Sequence, residues 1–383
     1  MQVSFDEAIQ SDAPWEFNSF GEIKDNMCTK GDSSIVWEEG KGNRSFTTSQ
    51  LIVQESFMLQ FKISVGCDDI YDSCEDYAPL RLEYNKDPRS DQWDLVRPLC
   101  LPDHALLSEC EPRHYHSASV YTHDAYHSWT LVTIPLTEKT FSSSTRFRWI
   151  QDAISKVGTS WALDDIYVGE KCPDLCHSRG ICVNGKCFCE RGYFGKSCLP
   201  RPDSLISTLY DSFEGGIFSF YWESITGGGI GFGCGALRPF AHGKTLYFNG
   251  CGQREAKTVE MDLRKARKIM FVLQIGCPAQ TASCNIQSGR NGSYSGVLLQ
   301  YTLNRGAEWK LLSRHDAEEY LLPKRAAYDI PDDAKQEGVQ FRWWQPVHRN
   351  KGYDQWAIDK VEVIKDHRAH NMRFRSRLSG DTT

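Results

Sequence analysis

The chain has 383 residues, 12% of them aromatic, and a formal charge of -6 from 44 basic and 50 acidic side chains. That length exceeds one ordinary core and predicts two or three domains. The mild acidity argues against nucleic acid as a partner, since phosphate binding needs a concentrated basic face. No stretch approaches the roughly 18 apolar residues that cross a bilayer, so direct membrane insertion is not expected.

In chain order, Met1-Gln-Val-Ser-Phe-Asp-Glu7 has neither the basic start nor the apolar segment of a signal peptide, so a secretion signal is expected upstream. The stretch Ser56–Val65 reads as a strand and runs into Cys67, followed after six residues by Cys74. A short alternating strand, Pro79-Leu-Arg-Leu-Glu-Tyr84, precedes Trp93, and Phe147-Arg-Trp149 precedes Trp161-Ala-Leu-Asp-Asp-Ile-Tyr-Val168. Between them His104, His114, His116, His123 and His127 crowd a segment that reads as a long loop. His114 and His116 would share a strand face and suit zinc, but surface histidines explain them as well.

Next comes a compact segment with Cys172, Cys176, Cys182, Cys187, Cys189 and Cys198. It has too few apolar residues for a core, so cross-links must hold it. Asn184-Gly185 is a favourable two-residue hairpin turn. The spacing lacks the paired knuckles of a zinc cluster, and 15 cysteines in short-range groups point to an oxidising compartment.

Beyond residue 200 the first half repeats. Phe271-Val-Leu-Gln-Ile-Gly-Cys277 and Cys284 match Phe61–Cys67 and Cys74, and Gly296–Tyr301 matches Pro79–Tyr84. Trp309 matches Trp93, Phe341-Arg-Trp343 matches Phe147–Trp149, and Trp356-Ala-Ile-Asp-Lys-Val-Glu-Val363 matches Trp161–Val168. Short strands with polar turns predict a mostly β chain of two antiparallel sandwiches around the small cross-linked module. The expected bounds are 1–170, 171–200 and 201–365, with a basic tail at 366–383 that is a solvated end or a contact for a polyanion. Cysteine arithmetic predicts Cys67–Cys74 and Cys277–Cys284 as equivalent short loops, with Cys100–Cys110 and Cys234–Cys251 each closing a loop in its own module. Cys28 is left over, as a buried thiol or one half of an intermolecular bond.

Acidic residues beside apolar strand positions are the main chemical candidates, because a buried Asp is costly unless it is paired or metal-bound. Alternation puts Trp161, Leu163 and Asp165 on one face and Asp164 on the other; Asp359 beside Ile358 repeats the problem. The segment Val3–Glu7 aligns with Asp211–Gly215, and a last strand returning beside the first would bring Asp6 to Asp164 and Glu214 to Asp359. Glu7, Asp165 and Asp211 could complete two oxygen-rich calcium sites; the alternative is solvated strand-end carboxylates. The acidic run Asp68–Asp76 has no counterpart in the second half and reads as a solvated face or partner contact. Asn43 and Asn291 head glycosylation triplets, expected on exposed turns. The glycine run Gly227–Gly233 lacks the context of a phosphate loop and reads as a close-packed turn.

Together these landmarks resemble a reelin repeat, in which an EGF-like domain separates subrepeats A and B; the resemblance covers the chain to about residue 365. The EGF-like pattern implies pairs Cys172–Cys182, Cys176–Cys187 and Cys189–Cys198. The family resemblance implies jelly-roll sandwiches that carry Ca²⁺, and a place in a secreted matrix glycoprotein guiding neuronal migration and cell positioning. Its implied partners are neighbouring repeats of the same chain and lipoprotein-receptor-type cell-surface receptors. The family's Asp-box-like motif has its nearest matches at Thr302-Leu-Asn-Arg-Gly-Ala-Glu-Trp309 and Thr122–Trp129, where it would tie down a hairpin. A secreted hydrolase, serine-protease-like or glycosidase-like, is the alternative; no nucleophile elbow or zinc-protease motif supports it. The short linkers around Cys172 and Cys198 predict that the sandwiches fold back on the small module.

Overall fold

The computed structural model describes residues 1–4, 15–25, 33–66, 78–101, 116–231, 243–276, 296–349 and 351–365, without the side chains of 16–18 and 154–157. The predicted Asp6, Glu7, Cys28, Cys67, Asp68–Asp76, His104, Cys110, His114, Cys234, Cys277, Cys284, Asn291 and the tail 366–383 lie outside the described residues.

Two β-sandwiches flank the disulfide-rich module. In the first, one sheet has the order Thr130–Pro135, Phe57–Val65, Trp161–Glu170, Ser33–Trp37, Glu22–Asp25, and Gln2–Val3 also pairs with Trp161–Glu170. The facing sheet runs Val120–Tyr121, Leu80–Asn85, Ser142–Gly158, Gly40–Thr48, Trp15–Ser19. In the second sandwich, the corresponding sheets run Gly228–Gly231, Thr245–Phe248, Trp356–Lys365, Ala266–Ile275, Lys324–Asp329 and Trp222–Thr226, Arg254–Thr258, Gln340–Gln345, Val297–Thr302, Lys310–His315. Leu209–Asp211 takes the place of Gln2–Val3. The strand pairings are antiparallel, so one face of each sheet can be apolar and the other wet.

The duplication extends to side-chain packing. Trp37 stacks on Trp161 at 3.7 Å, and Phe248 on Trp356 at 3.9 Å. Phe61 meets Trp149 edge-on at 5.1 Å, and Phe271 meets Trp343 at 5.3 Å. The guanidinium of Arg148 lies 4.1 Å over Trp93, and that of Arg342 lies 4.2 Å over Trp309. Each such contact contributes about 0.5–2 kcal/mol, rising as water is excluded. Buried Arg44 binds Gln151, and buried Arg254 binds Gln345.

The glycine run is an edge strand rather than a turn: Gly228–Gly231 pairs with Thr245–Phe248. A Cβ on Gly228 would come within 2.5 Å of the Phe248 ring, so close strand packing explains the glycine. The histidine segment is not one long loop either, since it contains the strand Val120–Tyr121 and the helical turn His123–Tyr126.

The central module carries the three implied bridges, Cys172–Cys182, Cys176–Cys187 and Cys189–Cys198. Its hairpin turns at Asn184 and Gly185, whose φ values of 48° and 74° are those of a primed turn. Cys100 and Cys251 are each disulfide-bonded; their expected partners Cys110 and Cys234 lie outside the described residues.

The modules fold back on one another. From the first sandwich, the wholly buried Gln60 donates from Nε2 to Gly180 O at 3.1 Å and accepts at Oε1 from Cys182 N at 2.8 Å. Met58 and Tyr167 pack with the module's cystines. On the other side, wholly buried Arg179 pairs with Glu260, and Arg305 bridges Glu190 and Glu223. The sandwiches also touch directly: Arg97 donates to Ala307 O at 3.0 Å, Gln253 N donates to Asp124 at 2.6 Å, and Leu101 packs with Leu298 and Trp344.

Gln60→Ala strands a buried carbonyl and a buried amide at this joint, each costing about 1–3 kcal/mol. The variant is expected to lose about 2–6 kcal/mol of unfolding free energy, with a lower denaturant midpoint, and to be cut faster by protease near residue 170. Unchanged stability and cleavage would show that the joint does not depend on this side chain.

Candidate functional site

The closing strand of each sandwich lies inside its sheet and carries a bulge at an equivalent place. In the first, Asp164 faces Lys62 and Tyr167 faces Gln60, so Asp165 and Ile166 together oppose one residue. In the second, Asp359 faces Val272 and Glu362 faces Met270, leaving Lys360 and Val361 against one residue. The residue after each buried aspartate is left-handed, with φ of 49° at Asp165 and 48° at Lys360. An antiparallel strand absorbs an extra residue in this way, bending and twisting as it does so.

The bulge corrects the expected alternation. Trp161, Ala162, Leu163 and Asp164 are all fully buried, and Asp165 does not share the core face of Trp161 and Leu163. It turns outward and forms an ion pair with Lys62 at 2.7 Å. Period-two reasoning holds only where each residue has one partner across the ladder, and the bulge removes that condition at Asp165.

In the second sandwich the opening strand runs beside the bulge, with Asp211 opposite Val361. Asp211 Oδ1 accepts from Phe213 N and Oδ2 from Trp222 Nε1, both at 2.8 Å, so this carboxylate holds its own turn and anchors a core indole. Glu214 Oε1 accepts from Lys244 N at 3.1 Å. Asp359 Oδ1 accepts from Lys360 N at 2.7 Å. Burial pushes the Asp359 carboxyl up to about 6, and the negative charges of Glu214 and Asp211 push the same way. The three predicted acids are thus electrostatic neighbours around the bulge of the closing strand.

They do not form a closed cage. Among the described residues, only Cys172, Cys176 and Cys187 bring three metal-type donor atoms within 4.8 Å of one another. Those sulfurs are in disulfides, which removes them as thiolate ligands. The donor chemistry at Asp211, Glu214 and Asp359 still fits a hard cation, which takes carboxylates with backbone oxygens and water. His116 is separate from this site: its Nδ1 lies 3.0 Å from Ser117 O. Asn43 is exposed as predicted, but on the strand Gly40–Thr48 rather than on a turn.

The Asp-box-like segment of the second sandwich forms a tied hairpin turn. Thr302 Oγ1 accepts from the amides of Asn304 and Gly306 at 3.2 and 2.9 Å, and Asn304 Oδ1 accepts from the amide of Glu308 at 3.0 Å. Trp309 is buried behind it. Asn serves as well as Asp here because the acceptor oxygen is the working atom. The first-half candidate does not repeat the turn: Thr122 precedes a helical turn without capping it, between strands of different sheets. Sequence reading missed Gln60 and Arg97 as joint residues.

Because the folded carboxyl of Asp359 titrates near 6 rather than at its ordinary value near 4, the folded chain binds more protons between those values. Without divalent ions, stability is therefore expected to fall as pH rises from about 4 to about 6. The Asp359→Asn variant should lose that slope. Melting temperatures in chelator across pH 4–7 test this, and identical slopes for both proteins would disprove it.

Comparison with known proteins bears on the whole arrangement. A family model described as Reelin subrepeat B matches residues 21–169 and again 227–364, and a teneurin-like EGF domain model matches 172–200. Solved structures give weaker likenesses. The N-terminal CBM22-1–CBM22-2 tandem domain of Xyn10C from Paenibacillus barcinonensis is 12% identical, with 95% of this chain and 96% of that one covered and a TM-score of 0.27. A CBM27-1 structure from Caldicellulosiruptor saccharolyticus, in complex with mannohexaose, is 16% identical over 41% and 97%, with a TM-score of 0.26. Scores this low carry no functional argument. The family match is of another order, for it covers both sandwiches and leaves the EGF-like module between them: this chain belongs to the reelin subrepeat family and is an extracellular structural or recognition module.

Proposed function

We propose that this chain is a calcium-stabilised recognition segment of a secreted matrix signalling protein that guides neuronal migration and cell positioning. The observation that carries the calcium reading is the buried Asp359, whose carboxyl is held near 6 by burial and by the negative charges of Glu214 and Asp211. Such an arrangement is costly on its own and favourable once a divalent cation neutralises it. Asp359 and Glu214 would supply charged oxygens, and Asp211 the lone pairs its turn leaves over. In the first sandwich the buried Asp164 occupies the equivalent bulge, and Asp6 and Glu7 are its proposed partners. Asp165 contributes less there, being engaged by Lys62.

The proposed partners are neighbouring repeats of the same chain and lipoprotein-receptor-type receptors. Recognition by such a module needs a surface of fixed shape, because ordering a flexible surface on binding costs affinity. The fold-back joints at Gln60, Arg179 and Arg97 support that reading, since they fix three small modules as one unit.

Calorimetric titration of the chelated chain with Ca²⁺ should give saturable heat and a rise in melting temperature. The double variant Asp359→Asn, Glu214→Gln should lose the second-sandwich component. Receptor-ectodomain binding is measured on the same material. No heat, together with melting unchanged by chelator, would rule out the metal; calcium heat without receptor binding would leave a spacer role.

A further inference from the structure

A cavity of about 170 Å³ lies where the three modules meet, walled by Arg97 and Tyr126 of the first sandwich, Ser178 of the EGF-like module, and Trp309 and Arg342 of the second. Its positive charges are unequally compensated. Lys257 pairs with Glu223, Arg305 with Glu190 and Glu223, and Arg342 with Glu255 at 2.8 Å. Arg97 has no carboxylate partner among the described residues; its guanidinium donates to the Ala307 carbonyl. Glu308 is the neighbouring acid and contributes only through its field, its Oε2 accepting from Asn304.

Arg342 is 4% exposed and sits between the indoles of Trp309 and Trp344, yet its Nη2 is buried with no hydrogen-bond partner. Tyr121 and Tyr126 pack edge-on at 4.9 Å, and their hydroxyls make no hydrogen bond to the described protein. Burial raises both phenols, Tyr126 to about 12, so both remain protonated donors. A guanidinium without a carboxylate partner and an orphaned N–H at a partly open cavity both favour an acceptor in that space. Water would solvate both groups, whereas an anion would also offset the charge.

We propose that this junction binds a small inorganic anion, held by the guanidiniums of Arg97 and Arg342 and by the phenolic hydroxyls of Tyr121 and Tyr126. Halide and oxyanion share the required chemistry, a compact negative acceptor for fork-like donors. The volume equals about five to six waters at ~30 Å³ each, enough for either ion with part of its hydration. The anion would join the first sandwich to the second, because its donors come from both.

The test uses the whole chain, with calcium held constant. Melting is followed in sodium gluconate, chloride and phosphate at matched ionic strength, and crystals are soaked in bromide. Chloride or phosphate should raise the melting temperature saturably by about 3 °C over gluconate, and whichever ion saturates identifies the source. Arg97→Gln should abolish the increment, read against the variant's own melting temperature in gluconate, which falls with the lost Ala307 contact. An anomalous bromide peak between Arg97 and Arg342 supports the site independently if the variant fails to fold. An equal response in Arg97→Gln, or bromide confined to the surface, would overturn it.

Discussion

Each sandwich closes through its last strand. Trp161–Glu170 pairs with Gln2–Val3, Ser33–Trp37 and Phe57–Val65, and Trp356–Lys365 repeats those roles with Leu209–Asp211, Thr245–Phe248 and Ala266–Ile275. The bulge after Asp164 or Asp359 falls where one edge of this strand passes from one short partner to the next. The bulge also sets a carboxylate into buried surroundings beside the opening strand. Fold closure and the candidate metal chemistry therefore rest on the same extra residue. Pairings this distant in sequence carry a loop-closure cost and slow folding, and cation binding at the closing strand would help offset that cost.

Much of this was legible in the sequence. The repeated Phe-Arg-Trp and Trp-Ala-x-Asp segments mark strands because their aromatic residues recur at fixed offsets, and the EGF-like spacing implied its three bridges correctly. Asp359, Glu214 and Asp211 were brought together from the expectation that last and first strands lie side by side. Asp165 escaped because a bulge is a property of pairing, not of local composition: nothing in Asp164-Asp165-Ile166 announces a left-handed residue. The glycine edge strand was hidden for a related reason, since glycine disfavours strands in isolation and is admitted here by the neighbouring Phe248 ring.

The joints were the least legible part. Gln60 sits in an apolar strand where it reads as an imperfection, and its two partners in the EGF-like module lie about 120 residues away. Arg97 and Ala307 are separated by 210 residues. The Asp-box-like turn gains a second role from this contact. Thr302 and Asn304 fix the backbone around Gly306 and Glu308, which holds the Ala307 carbonyl where the first sandwich can reach it. A motif read as local reinforcement of a hairpin thus becomes part of the surface between modules.

The adjacency of opening and closing strands also has a mechanical side. In the second sandwich Leu209 pairs with Val363, so polypeptide enters and leaves at neighbouring points of one sheet. Tension applied at those points would peel a short ladder one rung at a time and would leave the aromatic interior off the load path. In a tandem array, stretch would be taken up first at these zipper-like seams and at the interfaces between modules, with each sandwich behaving as a bead hung beside the line of force.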